Sequence, residues 1–193
     1  MKQDIILSGV GGQGILSIAT IIGEAATQAG LTLKQAEVHG RSQRGGDVQS
    51  NLRLADGPIA SDLITAGTAD MILSLEPMEA LRYLPYLDKE GWVITSSSPF
   101  KNIPNYPADE DWSAALKALP HVVMVDVEAL AREHAMPKCA NVILLGAAAR
   151  FLNILTVEQL RGSVARIFAA KGETVVEMNQ RAFDIGHDAA LVE

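Results

Sequence analysis

A glycine-rich hexapeptide, Gly9-Val10-Gly11-Gly12-Gln13-Gly14, separates a short apolar run from a helical pattern near the start of the chain. Glycine enters backbone conformations closed to other residues, so a segment of this kind marks a tight strand-to-helix turn. Ahead of it, Asp4-Ile5-Ile6-Leu7-Ser8 reads as a buried strand. Behind it, Ile15, Leu16, Ala19, Ile22 and Ala26 recur near helical spacing until Gly30 stops the helix. Residues 31–38 supply a second strand, and the three pieces make one strand–helix–strand unit, expected to be right-handed.

The pattern continues in the same manner. Residues 48–54 alternate, with Val48, Ser50, Leu52 and Leu54 against Gln49, Asn51 and Arg53. That predicts a half-exposed strand, antiparallel at an edge of the sheet. Further buried strands are expected at residues 71–75, 92–95 and 122–127. A helix is expected over residues 77–87, where Pro77 suits a helix start. Residues 96–109 hold three prolines and three serines and read as an irregular surface excursion. Four more helices follow, over residues 127–134, 141–152, 156–169 and 173–190; Thr156 and Gln159 have the spacing of a capping box.

The chain has 193 residues, of which 48% are hydrophobic and only 5% aromatic. A core built from Ala, Ile, Leu and Val suits helices layered on a parallel sheet. The expected fold is therefore α/β and three-layered: a mostly parallel, Rossmann-like sheet with helices on both faces and the glycine-rich loop after strand 1. Residues 1–193 are read as a single domain. In such sheets, ligands and partners meet the loops beyond the carboxyl ends of the strands. The loop after the second strand should thus share an edge with the glycine turn.

That second loop is His39-Gly40-Arg41-Ser42-Gln43-Arg44-Gly45-Gly46. Sixteen Lys and Arg stand against 23 Asp and Glu, a formal net charge of −7, so the two guanidinium groups form a local cationic island. Arginine's planar fork of donors matches carboxylate or phosphate. The overall sign disfavours nucleic-acid backbones, whose phosphates it repels. Cys139 is the only cysteine, too few for an intrachain disulfide or for the ligand set of an iron–sulfur cluster. No signal peptide is visible, and no apolar run reaches the roughly 18–20 residues of a membrane span, so a cytoplasmic protein is expected.

Taken alone, the G-x-G-x-x-G turn leaves two readings open. Its free N–H groups would suit the anion of a dinucleotide, with Glu37 placed to grip a ribose, which would make the chain an NAD-dependent enzyme. Equally, the glycines serve a tight turn packed against protein. A stand-alone module binding coenzyme A or a nucleotide is a third reading. Other polar residues carry less. His121 and His134 have no second ligand at metal spacing, and no metal site is assigned. Ser96-Ser97-Ser98 lacks a nucleophile elbow. Asn141 is placed to cap the helix behind Cys139. Glu76 and Glu79 suit the dipole of a helix start better than paired acid–base catalysis.

The pair Gly9-Val-Gly-Gly-Gln-Gly14 and His39-Gly-Arg-Ser-Gln-Arg-Gly-Gly46 resembles the signature of the gamma domain of 2-oxoacid:ferredoxin oxidoreductases. The resemblance extends over nearly the whole chain: Asp70, Glu76, Glu79-Ala-Leu-Arg82, Asn141-Val-Ile-Leu-Leu-Gly-Ala147, and the closing run from Asn179 to Gly186. Length and the Tyr106-Pro107 segment look most like the separate beta subunits of indolepyruvate enzymes; gamma subunits of pyruvate or 2-oxoglutarate enzymes are the alternative. The resemblance implies an accessory subunit, inactive alone, of a complex that oxidatively decarboxylates a 2-oxoacid with coenzyme A. The products are an acyl-CoA, carbon dioxide and reduced ferredoxin. It further implies that thiamine diphosphate, Mg2+ and iron–sulfur clusters belong to a large partner subunit, with no cofactor bound by this chain alone. By the same resemblance, Gly11, Gly12, Gln13 and Gly14 would offer backbone donors to an anionic group, while Arg41, Ser42 and Arg44 would hold coenzyme A phosphates or a partner chain. His39, Gly40, Gln43, Gly45, Gly46 and Asn141 frame that site. No acid, base or nucleophile is assigned, and whether the isolated subunit forms a homodimer stays open.

Overall fold

The computed structural model describes residues 1–39 and 46–191. Six strands form one sheet: β1 (Lys2–Val10), β2 (Thr32–His39), β3 (Asp47–Ala55), β4 (Ala69–Ser74), β5 (Leu87–Ser96) and β6 (Val122–Val125), in the order β2-β3-β1-β4-β5-β6. β1, β4, β5 and β6 run parallel, while β3 runs antiparallel to both β1 and β2. β1 is buried along nearly its whole length, as its apolar run requires for a strand covered on both faces.

Helices cover both faces. On one, α1 (Ile15–Gln28), α4 (Val127–Glu133), α5 (Ala140–Ala148), α6 (Val157–Phe168) and α7 (Glu173–Ala189) close the larger core around Leu7, Ile22, Leu73, Leu145 and Phe183. On the other, α2 (Pro77–Arg82) and α3 (Asp109–Lys117) pack Ala80, Trp112 and Leu116 over Ile6, Ile72 and Val93. The expected three-layer α/β architecture is what the chain adopts. No helix among the described residues is long and apolar enough to cross a membrane.

Several local expectations are corrected. β3 is not an edge strand: it lies between β1 and β2, and β2 is the edge. The first strand–helix–strand unit therefore encloses an antiparallel strand. β3's polar face is also internal, not solvated. Asn51 is buried and accepts the Ile64 N–H at 3.2 Å; Arg53 bonds the Ser61 and Leu63 carbonyls and both carboxylate oxygens of Asp4. Alternation thus reflects two differently packed faces, one under α1 and one under the loop that follows β3. The helix expected over residues 77–87 ends at Arg82. A separate 3-10 turn (Leu84–Tyr86) follows with Pro85 at its centre, and β5 starts directly behind it. α3 is an element the pattern did not announce, although three acids fill its first turn and Trp112 and Leu116 stand one helical turn apart. The capping box at Thr156 is present: the Gln159 N–H donates to Thr156 Oγ1 at 3.1 Å, and the Thr156 N–H to Gln159 Oε1 at 2.8 Å.

The two late sequence landmarks prove to be one packing device. α5 and α7 touch through Gly146 and Gly186. A Cβ at Gly146 would stand 2.0 Å from the Phe183 carbonyl oxygen, and one at Gly186 would stand 1.8 Å from that of Ile143. Only glycine lets these backbones approach so closely.

Candidate functional site

The glycine turn leaves the carboxyl end of β1, and its geometry is fixed by its own side chains. Gln13 folds inward: its Oε1 accepts the Val10 N–H at 2.7 Å, and its Nε2 donates to the Leu75 carbonyl at 3.2 Å, tying the turn to the end of β4. The Gln13 side chain is therefore a brace within the fold. The donors expected of this segment were backbone N–H groups, and those of Gly11 and Gln13 donate to the Gly46 and Val10 carbonyls at 2.8 and 3.1 Å. Gly12 and Gly14 take positive φ values of 101° and 90°. Space around Gly12 is open, but a Cβ at Gly14 would meet Asn141 Nδ2 at 2.7 Å. Gly14 then caps α1 without a side-chain bond, and no acid stands in the first turn. The N–H groups of Gly14, Ile15 and Leu16 have no intrahelical acceptor, so the helix start favours an anion.

Asn141 does not cap its own helix. Cys139 holds the N-cap position of α5 without a side-chain bond, and Asn141 lies inside the first turn, where its Nδ2 donates to the Gly14 carbonyl at 3.2 Å. Two helix starts distant in sequence thus meet at one point, and the expected association of Asn141 with the glycine turn is direct.

The second loop begins and ends beside this turn. His39 and Asp47 close β2 and open β3, Val10 pairs in register with Asp47, and the Gly11 N–H donates to the Gly46 carbonyl at 2.8 Å. Both loops therefore spring from the same rim of the sheet. Gly40, Arg41, Ser42, Gln43, Arg44 and Gly45 lie outside the described residues.

A cleft of about 630 Å³ opens over the turn, lined by Gly11, Gly12, Gln13, Gly14, Ser17 and Asn141 and, facing them, by Phe100 and Lys138 from loops and Glu128 from the first turn of α4. It adjoins a more apolar recess of about 600 Å³ formed by Met136, Cys139, Phe168, Val175 and Met178 with Lys171. The two share Ser17, Pro137, Lys138 and Asn141. Lys138 and Phe100 carry no motif, and only the fold brings them here. Lys138 is exposed and adds a cation to the anion-favouring end of the cleft.

Other candidates resolve into structure. Glu37 is exposed and accepts from Gln35 Nε2 at 2.8 Å. β3 separates its strand from β1, which places it about 9–10 Å away across two strand spacings. The ribose-gripping geometry of a dinucleotide site, where the acid's strand adjoins the glycine turn, is not formed. Burial pushes the Cys139 thiol up, away from nucleophilic behaviour. His121 stacks on Trp92 at 5.0 Å, and His134 Nδ1 meets Arg181 Nη2 at 3.4 Å. Among the described residues no group of three His, Cys, Asp or Glu is disposed to hold a metal. Glu76, 1% exposed, caps α2 by accepting the Glu79 N–H at 2.9 Å. It also accepts the Phe100 N–H at 3.2 Å and the Tyr106 hydroxyl. Burial raises the Glu79 carboxyl, and the Arg82 guanidinium beside it only partly offsets this. Both acids are consumed by structure.

The family described as pyruvate ferredoxin/flavodoxin oxidoreductase matches residues 4–189. Indolepyruvate oxidoreductase subunit IorB of Thermococcus kodakarensis is 36% identical over 98% of this chain and 97% of its own length. Ketoisovalerate oxidoreductase subunit VorA of Methanothermobacter thermautotrophicus is 26% identical over 95% of this chain, a match that takes up 35% of that longer protein. The crystal structure of a keto/oxoacid ferredoxin oxidoreductase gamma subunit from Geobacter sulfurreducens shares the fold, with a TM-score of 0.74 at 22% identity over 99% of both chains.

Proposed function

The chain belongs to the pyruvate ferredoxin/flavodoxin oxidoreductase family as a small subunit of a 2-oxoacid:ferredoxin oxidoreductase, and from that premise we propose that it serves an enzyme of the indolepyruvate type. The 36% identity to an IorB subunit, against 26% to the ketoisovalerate subunit VorA, supports an aryl 2-oxoacid as substrate. In this reading the chain does not catalyse alone. Its single, buried cysteine does not fit an iron–sulfur cluster, so clusters, thiamine diphosphate and Mg2+ are assigned to a large partner subunit. VorA, in which the matching region is about a third of the protein, shows that a domain of this kind is also built into a longer chain.

The chain's own contribution is an anion-binding rim offered to the partner's reaction centre. The observation that carries this is the Gly11–Gly46 hydrogen bond, which holds the glycine turn and the foot of the arginine-bearing loop edge to edge. The anion is assigned as a phosphate of coenzyme A, held by N–H groups at the start of α1, by Lys138 and by Arg41 and Arg44.

The test is reconstitution. The purified chain alone should reduce no ferredoxin, and turnover should appear on adding the large subunit, faster with aryl than with aliphatic 2-oxoacids. Turnover by the chain alone, or a complex that needs no coenzyme A, would defeat the reading. Tight NAD(H) binding to the isolated chain, measured by calorimetry, would favour the dinucleotide alternative.

A further inference from the structure

We propose that the loop over residues 97–108 is the apolar docking element by which this chain seats on its partner subunit, with Phe100 and Ile103 as anchors; the proposal rests on the reading above. Phe100 and Ile103 are 46% and 48% exposed, unusual for large apolar side chains set three residues apart on one loop. The loop is also built to hold them still. Buried Glu76 accepts the Phe100 N–H and the Tyr106 hydroxyl, so both arms hang from one carboxylate. Tyr106 packs into the smaller core, Lys101 pairs with Asp109 at 2.9 Å, and Pro99, Pro104 and Pro107 restrict the backbone. Apolar groups presented on a fixed loop lose little freedom on binding, which is how an interface anchor gains affinity.

The occupant is the large subunit, not a second copy of this chain. The loop leaves the carboxyl end of β5, the end of the sheet that also carries the glycine turn, and Phe100 is itself a wall of the cleft over that turn. A partner whose reaction centre approaches that cleft must pass over Phe100, so the apolar anchors and the anion site are parts of one contact. In VorA a domain of this kind adjoins about twice its own length of further chain within one polypeptide, so domains of this kind do pack beside other parts of such an enzyme.

The experiment measures assembly of the full chain with the purified large subunit by interferometry. Phe100→Asp and Ile103→Asp are compared with Leu63→Asp, a site 56% exposed in the loop joining β3 to β4 at the opposite end of the sheet. Each anchor variant should weaken assembly by about tenfold or more, as loss of an interface anchor does, while Leu63→Asp stays within about twofold. All three sites are exposed, and matching melting curves verify that the variants fold. Unchanged assembly in both anchor variants overturns the proposal. So does a Phe100→Asp effect confined to the KM for coenzyme A in an intact complex, which would make Phe100 a ligand contact, or an effect confined to self-association. Failure of the wild-type chain to assemble at all defeats the functional reading as well, and so separates the two.

Discussion

The Asn141 side chain donates to the Gly14 carbonyl across 3.2 Å, so the starts of α5 and α1 are fastened together at the point where a Cβ on Gly14 would meet the same amide at 2.7 Å. Gly14 is thus constrained twice, by its φ of 90° and by this neighbour. Gly14→Ala should lose about 1–2 kcal/mol from the left-handed backbone alone, plus a contribution from the collision. Asn141→Ala should lose about 1 kcal/mol with its hydrogen bond. The double variant removes the collision, so its loss measured by urea denaturation should be smaller than the sum of the singles. Strict additivity would show that the collision relaxes without cost.

The helix pair α5–α7 supplies a harsher test. Gly146 and Gly186 each face a backbone carbonyl across the crossing, and neither helix can give way without leaving the core that Leu144, Leu145 and Phe183 fill. Gly146→Ala and Gly186→Ala should each cost more than about 4 kcal/mol, above the roughly 1–3 kcal/mol typical of overpacking, because the added carbon meets backbone that cannot turn aside. The expected readout is loss of soluble folded protein, or a cooperative transition shifted far to lower urea. A variant that melts within a few degrees of the parent would contradict the crossing geometry.

These two devices mark where the sequence was legible and where it was not. The turn after β1, the α1 pattern and the Thr156 capping box depend on neighbours a few residues apart, and all were readable from spacing. Strand order was not. The run over residues 48–54 alternates, yet alternation records that two faces differ and says nothing of which strand lies on either side. Asn51 and Arg53 are polar because a loop and Asp4 bond them inside the protein, a pattern indistinguishable from solvent exposure in the sequence. In the same way nothing in the sequence marks the Gln13 side chain as a brace, since its partner, the Leu75 carbonyl, is brought near only by the fold. Lys138 and Phe100 enter the cleft only through tertiary packing, and no local signal marks them.

Asp70 makes the fold sensitive to pH in the unusual direction. Burial raises its carboxyl, and the charge of Asp4 adds to this, although the Asp4 N–H, donating to Asp70 Oδ2 at 2.7 Å, pulls the other way. A carboxyl whose folded pKa lies above its unfolded value gives stability that is present below the unfolded pKa and lost as pH rises through the folded one. Asp70→Asn keeps an oxygen for the Asp4 N–H and removes the disfavoured charge. Its urea midpoint should exceed the parent's at neutral pH, with the gap closing as pH falls toward the ordinary Asp value of about 3.9. A gap that does not change with pH would mean that the charge is not the cause.

Glu76→Gln tests the hinge on which the 97–108 loop hangs. The carboxylate takes Phe100 N–H and Tyr106 OH on Oε1 and the Glu79 N–H on Oε2, three donors on a group that only accepts. A glutamine has to turn its NH2 toward one side. Facing the Oε1 position, it can donate to the Tyr106 oxygen but strands the Phe100 N–H; facing the Oε2 position, it strands the Glu79 N–H and removes the cap of α2. Either way one backbone donor loses its acceptor, at about 1–3 kcal/mol where it is the buried Glu79 N–H and less where it is the part-buried Phe100 N–H. Hydrogen exchange should therefore quicken at Phe100 or at the start of α2, with little change in α5 and α7. The Tyr106 phenol supplies a second readout. Burial and then the Glu76 hydrogen bond and charge hold its pKa above the usual tyrosine value, so absorbance titration of Glu76→Gln should bring that ionisation down. Tyr106→Phe, which removes a donor and strands no backbone group, should cost less than Glu76→Gln. If the two variants prove equal in stability and exchange, the carboxylate is not what fixes the loop.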